Sequence, residues 1–61
     1  PFPKMMKAQD GLIVYFTEQL TGLVIKGEDY SFGYISSTWK SERFTDFEGV
    51  VELRNNWVES I

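Results

Sequence analysis

Asp10-Gly11-Leu12-Ile13-Val14-Tyr15-Phe16-Thr17 is the stretch whose reading decides the fold. Asp-Gly is a strong hairpin signal, because both central residues of a two-residue type I′ turn need positive φ. The run that follows places Leu12, Val14 and Phe16 on one face and Ile13 and Tyr15 on the other. Both sets are apolar, which predicts a central strand covered on each side. Backwards through the turn, the same logic gives a partner strand over residues 4–8.

Forwards, the polar connection Glu18-Gln19-Leu20-Thr21 leads through Gly22 into a strand with Leu23, Val24 and Ile25, and Gly27-Glu28-Asp29 is the next turn. Tyr30-Ser31-Phe32-Gly33-Tyr34-Ile35-Ser36 then alternates with period two, setting three aromatics on one face of a predicted strand. Gly33, on the other face, marks a bulge or the close approach of another backbone or a Trp ring. Ser37 or Thr38 is placed to cap one helical turn near residues 38–43. Thr45-x-x-Glu48 matches a capping box. Gly49 and the β-branched Val50-Val51 follow it directly, so residues 44–49 read as a turn and 50–54 as a strand with Val51 and Leu53 inward. Asn55-Asn56 admits two readings, the turn of a last hairpin or the cap of a terminal helical turn. The hairpin would set Glu52 opposite Glu59, a like-charge pair that disfavours it. The last five residues therefore carry no assignment. The expectation is one all-β domain over residues 1–61, a five-stranded meander forming either an SH3-like barrel or a strongly bent antiparallel sheet.

Composition narrows what such a domain can do. A chain of 61 residues buries only about 60% of its unfolded surface, so a deep catalytic pocket is not expected. With no Cys and no His, disulfides, Cys/His zinc sites, Ser-His-Asp or Cys-His catalysis and a histidine switch are all excluded. The carboxylate pairs Glu28/Asp29 and Asp46/Glu48 lack the spacing of a calcium loop and read as solvated turn residues. No metal, cofactor or enzymatic role is expected. A net charge of −3 opposes attraction to phosphate backbones and anionic lipid. The longest apolar run, Leu12 to Phe16, is far short of the ~20 residues of a membrane-spanning helix, so a cytoplasmic protein is expected. Pro1 fits either removal of an initiator Met or a cleavage remnant.

The unusual feature of the composition is the 16% of aromatic residues. Tyr30, Phe32 and Tyr34 read either as one layer of the core or as a stacking platform for single-stranded nucleic acid, with a mixed case in which Phe32 is buried and the Tyr hydroxyls sit at the rim. The basic groove that nucleic acid needs is missing. Trp39 and Arg43, four apart in the predicted helical turn, allow the guanidinium to cover the indole. Trp39 is either an exposed interface residue beside Tyr34 or a plug in the open end of the barrel. Trp57 is either docked on the sheet or offered to a partner or a second copy. The candidate partner-binding residues are therefore Trp39, Arg43, Tyr34, Tyr30 and Trp57.

The string Tyr15-Phe16-Thr17, Thr21-Gly22-x-Val24, Gly33-Tyr34-x-Ser36-x-x-Trp39 and Phe44-x-Asp46-Phe47-x-Gly49-x-Val51-x-Leu53-x-Asn55 resembles short uncharacterised open reading frames of bacteriophages and prophages. That resemblance implies a small accessory protein or inhibitor that binds a host protein, and it transfers no functional residue. The expected function is a non-catalytic protein-binding module. Single-stranded nucleic-acid binding and self-assembly as a homodimer are the alternatives.

Overall fold

A computed structural model describes residues 1–53, and residues 58–60 by their backbone alone. The described residues form seven strands: β1 (Lys4–Ala8), β2 (Ile13–Phe16), β3 (Gly22–Lys26), β4 (Ile35–Ser36), β5 (Phe44–Asp46), β6 (Val51–Leu53) and β7 (Val58–Ser60). The first five form one antiparallel sheet in the order β4-β3-β2-β1-β5, and β6 pairs with β7 in a separate hairpin. β2 is thus the central strand, as its two apolar faces require.

The Asp10-Gly11 turn joins the predicted strands but is not a type I′ turn. The Gly11 amide donates to the Ala8 carbonyl (3.1 Å) and the Ala8 amide to the Leu12 carbonyl (2.8 Å), giving a three-residue loop. Only Gly11 takes positive φ, at 94°, in the manner of a turn that closes on a glycine bulge. Asp10 instead spends its carboxylate on the Leu12 amide at 3.2 Å, which holds the turn without positive φ at Asp10.

The sheet is strongly curled and open. Phe16 lies opposite Lys4, and Phe44 opposite Ala8, four residues further along β1. In a flat sheet that offset would separate the two Cα atoms by roughly 16 Å, taking about 3.3 Å per residue along the strand and 4.8 Å between strands. The rings nonetheless meet edge to face with centroids 5.1 Å apart. A register shift of β2 against β3 beside Ile13 and Val14 leaves Ile25 as an extra residue, and such bulges bend a strand. β4 and β5 do not pair, so the five-stranded sheet is not closed.

The curl gathers Met6, Leu12, Val14, Phe16, Val24, Trp39 and Phe44 into one buried cluster on the concave side. On the convex side Ile13 is covered and Tyr15 is half-exposed. Consecutive strands β4 and β5 lie at opposite edges of the sheet, so the chain between them must cross the concave face. That crossing brings Trp39 over the core.

Several expected boundaries are corrected. Residues 44–49 do not form only a turn: Phe44–Asp46 is β5, held to β1 and extended by the Phe47 amide donating to the Met5 carbonyl at 3.1 Å. An amphipathic three-residue edge strand is too short to show periodicity. The expected strand at 50–54 is β6, outside the main sheet, and Leu53 is exposed instead of inward. The hairpin reading of the C-terminal segment is realised, with Glu52 opposite Glu59. The like-charge cost, a few tenths of a kcal/mol to about 1, does not prevent pairing.

Candidate functional site

Tyr30 to Tyr34 do not continue as a strand. The Tyr34 amide donates to the Ser31 carbonyl (3.1 Å), closing a turn whose third residue, Gly33, has φ 92°. A positive φ at that position is the requirement of a type II turn, and glycine meets it without strain. The Gly33 amide then donates to the Val24 carbonyl and the Val24 amide to the Tyr34 carbonyl, both at 2.8 Å, so the turn is tied to β3. Gly33 therefore supplies a turn conformation. A Cβ there would meet no atom within 4 Å, so neither a bulge nor a packed ring explains it.

This turn rearranges the aromatic stripe. Tyr30 and Tyr34 are folded back onto each other, with centroids 5.4 Å apart and an interplanar angle of 30°. Both meet Trp39 edge to face, at 5.2 and 6.2 Å. Phe32 is left at the turn's tip. Tyr30, Phe32 and Tyr34 are 41%, 58% and 49% exposed, so neither the core-layer reading nor the buried-Phe32 reading describes them. Alternation predicted one face of a strand; the left-handed residue broke the period.

Trp39 itself is the plug. It is 8% exposed, packs edge to face on Phe44 at 6.0 Å, and donates its indole N–H to the Gly22 carbonyl at 2.9 Å. Its backbone amide donates to the Leu20 carbonyl at 3.1 Å, so the crossing chain is clipped both to the β2–β3 connection and to the first residue of β3. The helical turn is a 3₁₀ turn, Ser41–Arg43, that starts after Trp39 and has no side-chain cap. Trp39 and Arg43 are consequently not neighbours on one helical face, and the expected Arg43–indole contact is absent among the described residues; the cation–π contact present there is Lys4 over Phe2 at 5.1 Å. Trp57 lies outside the described residues.

Beside the plug, an open groove of about 680 Å³ runs between the β1–β2 turn and the 3₁₀ turn. Its floor is Ala8, Leu12, Trp39 and Phe44, and its rim carries Asp10 and Glu42 against Lys40 and Arg43. Tyr30 forms part of its wall, whereas Phe32 and Tyr34 do not. The structure thus brings together Tyr30, Tyr34, Trp39 and Arg43 around one crossing segment, with Trp39 inside and the others outside. Phe32, outside the expected partner-binding set, is the most exposed aromatic ring among the described residues. The Gly at its C-terminal side was the signal that could have put it at a turn tip. Among the described residues no group of three or more carboxylates could hold a metal ion, and no helix is long and apolar enough to cross a membrane.

The turn's dependence on Gly33 is testable. Gly33→Ala is expected to cost about 1–2 kcal/mol, because an L side chain is strained at that φ although space is available. Gly33→Asn should cost less, since Asn tolerates positive φ. Denaturant midpoints of the two variants at unchanged slope check the order; equal losses would mean that φ is not the cause.

Neither a protein-family model, nor a curated protein, nor a solved structure matches this chain.

Proposed function

We propose that the chain is a non-catalytic protein-binding module whose contact face is the aromatic turn, with Tyr30, Phe32 and Tyr34 as its anchors and Arg43 at the groove edge. One observation carries this reading: three aromatic rings stay about half exposed while two of them are braced on a buried Trp. Burying those rings in a core would have stabilised so small a chain, so their exposure has a cost that a contact surface explains. Bracing removes rotamer freedom before binding, which favours hot-spot residues. In the bacteriophage setting that the sequence resembles, the partner is a host protein and binding is accessory or inhibitory.

The SH3-like form is part of the same proposal. The fifth strand returns to pair with the first, as in a small barrel short of closure, and Trp39 fills the gap that pairing leaves. A nucleic-acid reading has one observation in its favour, the exposed ring faces, and the balanced charges of the groove rim against it.

Phe32→Ala separates these. Phe32 has no ring partner among the described residues and is 58% exposed, so stability should change by no more than about 0.5 kcal/mol. Capture from the source cells with the wild-type chain and the variant as parallel baits should retain a protein on the first and lose it on the second. Equal retention on both would overturn the assignment of the face. Quenching of Trp fluorescence by oligothymidylate, with steep loss in salt, would replace the protein partner with nucleic acid.

A further inference from the structure

We infer that the partner meets the aromatic turn with a basic, arginine-bearing segment, an inference that rests on the protein-binding reading above. Residues 27–39 contain two carboxylates, Glu28 and Asp29, and no Lys or Arg. Both are exposed. Among the described residues neither joins a hydrogen bond or ion pair. Glu28 shares a shallow hollow with Lys7 and Lys26, whereas Asp29 adjoins Tyr30 directly. The cations that follow, Lys40 and Arg43, line the groove on whose wall Tyr30 sits, whereas Phe32 and Tyr34 lie outside it. The turn is therefore an acidic and aromatic surface, with Tyr30 and Tyr34 held from behind by Trp39.

Three partner chemistries can be weighed against that surface. A purely apolar partner would strip water from Asp29 and leave the carboxylate unpaired, which is costly. A phosphate backbone would be repelled by it. A guanidinium satisfies both features together: it stacks on a ring face and pairs with a carboxylate through its planar fork. An ammonium can do the second but stacks less well, so arginine is favoured over lysine.

The test uses the full chain and four probes: a hexapeptide of alternating Arg and Gly, its Lys and Glu counterparts, and oligothymidylate, each titrated while backbone amide shifts are followed. The Arg peptide should give saturable shifts confined to residues 27–39 and bind roughly threefold or more tighter than the Lys peptide, with no response to the other two. Asp29→Asn should weaken it by roughly threefold and Tyr34→Ala by about fivefold, with spectral dispersion confirming that both variants are folded. Should Tyr34→Ala lose its fold, Phe32→Ala takes its place with the same expected weakening. Shifts spread over the whole acidic surface, or affinities unchanged in the variants, would overturn the inference. If Phe32→Ala still abolishes capture from cells in that case, the protein-binding reading stands and only the basic partner falls. Binding of oligothymidylate to the turn would overturn both.

Discussion

Trp39→Ala is expected to abolish cooperative folding or to lower Tm by roughly 16–48 °C, taking about 4–8 °C per kcal/mol for a domain of this size. Truncating a buried Trp costs about 3–5 kcal/mol. The Gly22 carbonyl also loses its indole donor, which adds on the order of 1 kcal/mol. A chain of 61 residues has a total stability of only about 3–9 kcal/mol. The loss is therefore comparable with the whole. The geometry explains why one residue matters so much: Trp39 contacts Phe44 of β5 and bonds to β3, and so joins the two halves of a sheet that hydrogen bonds do not close. Trp39→Phe should fall between the wild type and the alanine variant, since it keeps an aromatic plug and loses the N–H. Thermal unfolding followed by far-ultraviolet circular dichroism gives the answer. A Trp39→Ala chain melting within 5 °C of wild type would refute the plug. Trp39→Ala is therefore unsuited to a binding experiment, because it is expected to unfold the domain. Phe32 and Tyr34 are the residues on which that experiment is clean.

Gly22→Ala is expected to cost about 1–3 kcal/mol by overpacking. A Cβ at this position would lie 2.5 Å from Val14 Cγ1 and 3.1 Å from the Tyr15 carbonyl oxygen. Val14 is fully buried on the central strand and cannot swing away, and the backbone of β2 is fixed by pairing on both sides. Val14→Ala relieves the contact at the cost of a cavity. In a double-mutant cycle the two losses should fall short of additivity by about 0.5 kcal/mol or more, because the second substitution removes the atom that the first one strikes. Additive losses measured by denaturant unfolding would place the strain elsewhere. Gly22 thus has two uses: its missing side chain lets β3 approach Val14, and its carbonyl receives Trp39.

The local elements were legible where a strand had a buried face. β1 and β2 run close to the residues that alternation predicts, and the central position of β2 follows from its being apolar on both sides. β5 was not legible, because three residues with one buried side chain, Phe44, carry no period and sit after a sequence that resembles a helix cap. The site was half legible. Tyr30, Tyr34, Trp39 and Arg43 do gather in one region, yet the arrangement expected for them, a strand stripe and a helical i, i+4 pair, is not the one present. Two small features account for the difference. Gly33 takes a left-handed conformation and folds the stripe on itself, and the helical turn starts two residues after Trp39. The Gly33 turn is fixed by its bonds to Val24 of β3, and Trp39 is fixed ahead of the helical turn by its bonds to Leu20 and Gly22.

By itself the sequence determined an all-β chain with β2 at its centre, no Cys or His chemistry, and an excess of aromatic residues that must serve a core and a surface together. Only the tertiary structure decided the division of those aromatics. Hydrophobic burial is non-directional and does not distinguish one ring from another. The crossing from β4 to β5 passes over the concave face at Trp39, and the donor on that indole finds the Gly22 carbonyl there. Tyr30 and Tyr34 are left to cover its edge, and Phe32, carried outward by the turn at Gly33, faces solvent.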